Sequence, residues 1–295
     1  MKFLTTILLL SVCLFTISCT KQNDFPTNKI TASGQGNLLT GPLTSFGVLL
    51  CGQNVNTVET TMTADGITIV RATVNYSTGI SNKNIDTYLN DGYDVAINFN
   101  YQATPKPMPW PTDTVMIRQK AEAFFSYYQK WLSQIPVVAC ENEWDYAAFH
   151  TGPIQNYLNE LSIVVQVGHK YGFKVTDAGI TDGKIRMFYQ GNVNIDTFLT
   201  GIKTIPEDYC NFHWYVANDQ TQNFNLRDVV NYYLQATGKS KPITNEFGLK
   251  SNSLRLWVNE VNALKGFVYY GVAYSGTNAP NQAITLSNTM LLMLK

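Results

Sequence analysis

Short apolar runs followed by stretches of helical spacing recur eight times along this 295-residue chain, and that alternation constrains the fold more than any other feature. The runs occupy residues 46–50 (FGVLL), 67–74, 93–100, 136–142, 172–179, 208–216, 241–248 and 266–272. Each has the length and apolar continuity of a strand buried on both faces. Helical stripes come after them: Ile85, Tyr88 and Leu89, stopped by Gly92; Ile117, Ala121, Phe124, Tyr128 and Leu132; Ile154, Tyr157, Leu158, Leu161 and Val165. Further on come Leu226, Val229, Val230 and Tyr233, closed by Gly238, and then Leu254, Val258 and Val261. Weaker helical signals lie around 55–62 and 195–202, and a closing helix is expected within 284–294. Eight strand-then-helix units predict an α/β chain folded as a single-domain (β/α)8 TIM barrel. An open doubly wound sheet is the competing architecture. It usually carries a glycine-rich phosphate loop after its first strand, and none is present.

In such a barrel the working residues gather at the C-terminal ends of the strands. The runs end on Arg71 and Asn75, on Asn98 and Asn100, on Asn142 and Glu143, on His213 and Tyr215, and on Asn245 and Glu246. The fourth run is the most pointed: VVACENEWDY drives an apolar run into two carboxylates flanking an amide. Two glutamates across one bowl suggest glycoside hydrolysis, in which one attacks the sugar carbon while the other protonates the leaving oxygen. A glutamate beside an arginine and a tyrosine hydroxyl stays ionised. Its negative charge then favours the protonated form of its neighbour. Glu141 is the other candidate acid. Two-residue alternation favours Glu143, and Glu141 is expected as a buried hydrogen-bonding partner or a charge at the barrel mouth.

This ordered set resembles clan A of the glycoside hydrolases, the retaining (β/α)8 enzymes. That clan ends strand four with Asn-Glu, matched here by Asn142-Glu143 in CENEW, and strand seven with a glutamate in a setting like TNEFG, residues 244–248. Many cellulase-like members add an arginine on strand two and His-x-Tyr on strand six, which Arg71 and His213-Trp214-Tyr215 fit. The resemblance implies Glu143 as acid/base and Glu246 as nucleophile. It implies that Asn142 bonds the sugar 2-hydroxyl, that Arg71 and Tyr215 hold Glu246 ionised, and that His213 supports them. The substrate would be a β-linked oligo- or polysaccharide, with no metal or organic cofactor. Two departures stand out. Cellulase-like members end strand eight with a tryptophan where Phe267-Val268-Tyr269-Tyr270 stands here, and their strand-three histidine is replaced by Asn98 and Asn100.

Trp110, in the proline-rich TPKPMPWPTD, and Trp144 are candidates to stack on sugar faces; Trp214 alternates away from His213 and Tyr215. The alternative function is a glycan-binding protein on a barrel that no longer turns over, and the presence of both glutamates argues against it. A (β/α)8 enzyme of phosphorylated metabolites is disfavoured by the missing phosphate loop and by the signs of export.

Those signs lie at the start. MKFLTTILLLSVCLFTISC has one charge, Lys2, then a long apolar run ending in small residues, as an export signal does. Thr16-Ile17-Ser18-Cys19 resembles a bacterial lipobox, with Thr16 where leucine is usual. Residues 1–19 are thus expected to leave Cys19 acylated, 20–44 to form a flexible tether, and 45–295 to form the catalytic domain of an exported, membrane-anchored lipoprotein. Cys51, Cys140 and Cys210 show no C-x-x-C pattern and are expected as small buried hydrophobes, with a single unassigned disulfide among them as the alternative. The three histidines, His150, His169 and His213, show no metal-ligand spacing. Lysine plus arginine and aspartate plus glutamate each number 21, so the chain lacks the basic excess of a nucleic-acid binder.

Overall fold

The computed structural model describes residues 42–49, 68–102, 106–216, 224–249 and 254–274. The export signal with Cys19, most of the tether, Cys51, the helical signal at 55–62 and the closing helix at 284–294 lie outside the described residues. Eight parallel strands form one sheet: β1 (Ser45–Leu49), β2 (Ile69–Asn75), β3 (Asp94–Asn100), β4 (Val138–Cys140), β5 (Val175–Thr176), β6 (Cys210–Val216), β7 (Pro242–Leu249) and β8 (Tyr270–Tyr274). Their order is β5-β4-β3-β2-β1-β8-β7-β6. Two further parallel bridges, Thr176 to Tyr209 and Ile180 to Phe212, join the outer strands and close the ring. The fold is a (β/α)8 barrel, as the eightfold alternation predicts.

Strand alternation separates two interiors. On β3, Val95, Ile97 and Phe99 pack outward beneath the helices, in the large core shared with Phe124, Phe125 and Tyr128. Ala96, between them, points into the barrel and joins Val137, Tyr209 and Ile243 in a small apolar plug near the strand N-termini. Above that plug the inward positions turn polar: Arg71, Asn98, Asn211, His213 and Asn245 are all buried.

The helices are α1 (Lys83–Asn90), α2 (Thr114–Tyr128), α3 (Ile154–Lys170), α4 (Asp182–Tyr189), α5 (Asp196–Ile202), α6 (Leu226–Thr237) and α7 (Leu254–Leu264). Asn82, Asp113, Thr181 and Asn225 cap α1, α2, α4 and α6 by accepting backbone N–H bonds, each worth about 1 kcal/mol. Gly238 ends α6 in the left-handed conformation, as its place after the apolar stripe predicts.

Three expectations need correction. The α2 stripe does not reach Leu132, because the helix tightens into a 3-10 turn at Gln129–Gln134 and four-residue spacing no longer holds one face. The fifth unit has two helices rather than one. In α4 only Ile185 is fully buried, too sparse a stripe to read from sequence. Strand eight begins at Tyr270, not at residue 266, since the N–H groups of Phe267 and Val268 still bond the Leu264 carbonyl at the end of α7. Tyr269 and Tyr270 therefore pack against the apolar plug, at the opposite end of the strand from a sugar-site floor.

Among the described residues, Cys140 and Cys210 are buried free thiols, and no helix is long and apolar enough to cross a membrane.

Candidate active site

At the end of β4 the chain reverses through Glu141 and Glu143, with φ of 71° and 50°. They are the only non-glycine residues with positive φ among those described. Such conformations are disfavoured by about 1–2 kcal/mol each and persist where surrounding contacts hold them. Here the Glu141 N–H bonds Phe99 O at 3.1 Å, and the Glu143 N–H bonds Ala178 O at 2.9 Å. The segment thus spans from β3 to the strand-five side, and Glu143 faces the bowl.

Arg71, inward on β2, organises the centre. Its Nη1 donates to Glu246 Oε2 at 2.6 Å and to the Asn245 carbonyl at 2.8 Å. Its Nη2 donates to Asn142 Oδ1 at 2.5 Å, and its Nε to Asn98 Oδ1 at 3.0 Å. Tyr215 donates its hydroxyl to Glu246 Oε1. Burial works against a charge on Glu246, but the positive charges of His213 and Arg71 and these hydrogen bonds outweigh it, lowering its pKa to about 2. Burial and the charge of Glu246 push the Tyr215 phenol well up, so it stays a donor.

On β6, Asn211, His213 and Tyr215 share the inward face by two-residue alternation. His213 Nδ1 lies 2.9 Å from Glu143 Oε1, and Nε2 lies 2.8 Å from Asn245 Oδ1. Both partners are acceptors, an arrangement that suits an imidazolium. Burial opposes that charge; Glu246 and Glu143 more than offset it, and the pKa is raised. On β7 a bulge intervenes: between the pairs Asn211–Ile243 and His213–Glu246, β7 spends one residue more than β6. An extra residue re-aims the side chains beyond it, so the adjacent Asn245 and Glu246 both serve the bowl while Phe247 packs outward.

Ligand atoms of Glu143, His213 and Glu246 lie within 4.8 Å of one another, the one such set among the described residues. To ligate a metal, a histidine must be neutral with a free lone pair. Both His213 nitrogens instead meet acceptors, which fits proton chemistry better than metal binding.

Of the site residues expected from sequence, Arg71, Asn142, Glu143, His213, Tyr215 and Glu246 converge on one network; Cys19 lies outside the described residues. The two tryptophans stand apart. Trp110 is buried, its ring stacked on His150 with centroids 3.8 Å apart, so it presents no open face to the bowl. Trp144 stacks on Phe198 at 4.0 Å beside a cleft of about 490 Å3 between the loop after β4 and α5. Trp214 faces the helix layer, under the Arg186 guanidinium. Sequence reasoning did not single out Asn211, whose Nδ2 donates to Asn245 Oδ1 at 2.8 Å, or buried Asp177, whose Oδ1 accepts the Gly179 N–H at 2.6 Å. The alternation in CNFHWYV was the available signal for Asn211; Asp177 had none.

No protein-family model matches this sequence, and no curated protein does. Solved structures do. An endo-β1,6-glucanase superposes with a TM-score of 0.56 at 10% identity, over 82% of this chain and 69% of its own. Fungal β-1,4-galactanases give 0.53 at 17%, over 79% and 89%. A glycoside hydrolase family 30 subfamily 8 xylanase from Clostridium acetobutylicum gives 0.51 at 13%, over 83% and 70%. All three neighbours are glycoside hydrolases on (β/α)8 barrels. At such identities the likeness establishes this chain's fold, and its chemistry must be argued from the site.

Proposed function

We propose that this protein is a retaining glycoside hydrolase of β-linked glycans, with Glu246 as nucleophile and Glu143 as acid/base. The observation that carries the reading is that one carboxylate oxygen of Glu143 and one of Glu246 lie within 4.8 Å of each other, both side chains partly open to the bowl. Retaining enzymes hold the pair about 5–5.5 Å apart, whereas inverting ones need about 6.5–9.5 Å to admit a water. In the first step the Glu246 carboxylate attacks the anomeric carbon while protonated Glu143 gives its proton to the leaving oxygen. A covalent glycosyl-enzyme results. Water then attacks the same carbon, Glu143 takes the water's proton, and the sugar leaves Glu246 with its original configuration. Asn142 Oδ1 is occupied by Arg71, so its amide NH2 is the part left to bond a sugar 2-hydroxyl.

The test is a panel of aryl β-glycosides and β-linked polysaccharides, with the anomer of the first-formed product followed by NMR. Retention is expected, with no detectable turnover in Glu246→Ala. Glu143→Ala should lose about 10²–10⁴-fold on substrates with poor leaving groups. A parent that binds glycans yet cleaves none, or one that inverts, overturns the proposal.

The same reading places the enzyme outside the cytoplasm, tethered to the cell envelope through acylated Cys19. Its support is the charge pattern and small-residue ending of residues 1–19. Mass spectrometry of the mature N-terminus, with Cys19→Ala as control, tests it. A mature chain that begins elsewhere or carries no acyl group rejects the anchor and leaves the catalytic proposal untouched.

A further inference from the structure

Glu141 has no part in the double displacement, yet its side chain is among the most heavily engaged in the protein. It is fully buried, at φ 71°, two residues before Glu143. Oε1 accepts the N–H of Tyr101, just beyond β3, and Oε2 lies 3.1 Å from His150 Nε2. The Glu160 carboxyl from α3 lies close by, its Oε1 taking the Tyr76 hydroxyl and its Oε2 without a hydrogen-bond partner. Burial pushes Glu141 up to about 8 against these hydrogen bonds and the charge of Lys106, and Glu160 is raised as well, by burial and then by Glu141. His150 is pushed down to about 4 by burial and is neutral at pH 7. Its Nε2 faces Glu141 Oε2, and its Nδ1 has no hydrogen-bond partner.

A left-handed reversal built from ordinary residues needs anchors on both sides. Asn142 is anchored by Arg71 and Glu143 by His213. The third anchor, nearest the strand, is Glu141.

We propose that Glu141 is a positioning residue: its buried side chain, clasped between the Tyr101 N–H and His150, fixes the reversal that aims the Glu143 carboxyl at the leaving oxygen. The proposal rests on the glycosidase reading and adds a residue to it. A glutamine at 141 keeps an oxygen for Tyr101 and offers an NH2 to His150, whose proton can shift to the unpartnered Nδ1. Alanine removes both contacts.

The experiment compares Glu141→Ala and Glu141→Gln on an unactivated β-glycan and on a dinitrophenyl glycoside, whose leaving group departs without a proton. With alanine, kcat/KM on the glycan should fall about 100-fold, while kcat/KM on the dinitrophenyl glycoside, which reports glycosylation and not the later step in which Glu143 deprotonates water, should stay within about threefold. Glutamine should restore both substrates to within about threefold. Equal losses on the two substrates would mark a merely structural role, and no loss with alanine would also overturn the proposal. Should the alanine variant fail to fold, His150→Phe keeps an aromatic ring against Trp110 and removes one arm. It should show the same selective loss, about tenfold, and an equal loss on both substrates again counts against the proposal. A readout without turnover is the His213 Nδ1–H resonance, exchange-protected by Glu143. It should persist with glutamine and vanish with alanine. If the parent cleaves nothing, the glycosidase reading falls, while a resonance retained in the alanine variant still refutes the anchoring role.

Discussion

Arg71 Nη1 lies 2.6 Å from Glu246 Oε2, the guanidinium buried and the carboxylate partly open to the bowl. Removing one partner of a buried pair leaves the other charge unpaired, at about 3–5 kcal/mol. Arg71→Met should therefore lower the free energy of unfolding by that order. It should also raise Glu246 from about 2 toward or past its ordinary 4.5. The acid limb of kcat/KM then moves up in pH, and activity at the optimum falls at least tenfold. Denaturant titration and a pH–rate profile on one glycoside check both effects.

Tyr215 reaches the other oxygen of Glu246 with a dipole rather than a charge. Tyr215→Phe keeps the ring and removes the donor, worth about 1.5–3 kcal/mol to an ionised acceptor. The acid limb should rise here too, by less than in Arg71→Met. The order parent, Tyr215→Phe, Arg71→Met is the prediction, read from three pH–rate profiles. A Phe variant shifted further than the Met variant would contradict the hierarchy of contacts at Glu246.

The parts of this network that were legible in sequence are those that obey regular alternation. His213 and Tyr215 share a face because strand period is two, and Arg71 projects inward from within β2. Asn245 and Glu246 break the rule. Side by side on a regular strand, they would face opposite ways, and only the bulge in β7 lets both serve one bowl. A bulge depends on register with the neighbouring strand, which local sequence does not carry. Trp110 illustrates a second limit. Its proline-rich surroundings suggested a loop tryptophan able to stack on sugar, but the chain there forms a short ribbon, Met108–Pro109 against His150–Thr151, that folds the indole onto His150.

Gly179 supplies a packing requirement. It sits at φ 78°, and a Cβ there would stand 2.9 Å from the His213 ring and 3.0 Å from Asn211 Nδ2. Gly179→Ala combines a left-handed strain of about 1–2 kcal/mol with overpacking of about 1–3 kcal/mol. The side chain that must yield is the one holding Glu143, so catalysis should suffer more than stability. The expected pattern is a loss of kcat exceeding tenfold in protein that still melts cooperatively within about 10–15 °C of the parent. Loss of stability with kcat intact would show that His213 can move without consequence.

The buried acids set a pH dependence of stability whose sign can be worked out group by group. Burial pushes Glu141 and Glu260 to about 8 and Asp177 to about 7, above unfolded values of 4.5, 4.5 and 3.8. For each, the contribution to stability is complete below the unfolded value and is lost as pH rises through the folded one. His213, raised from 6.5, acts in the same direction, being lost as pH climbs through its folded value. His150 opposes them: lowered to about 4, it contributes fully above pH 6.5 and is lost only as pH falls below that. Glu246, lowered to about 2, loses its contribution between 4.5 and 2. From pH 6.5 to 8, then, every one of these groups either is constant or destabilises as pH rises. The melting temperature should fall across that window, and Glu260→Gln, which removes one titrating carboxyl carried by α7, should flatten the slope. Thermal melts at constant ionic strength measure it, and a parent whose melting temperature holds level or climbs from pH 6.5 to 8 would mean that these carboxyls do not keep their protons in the folded chain.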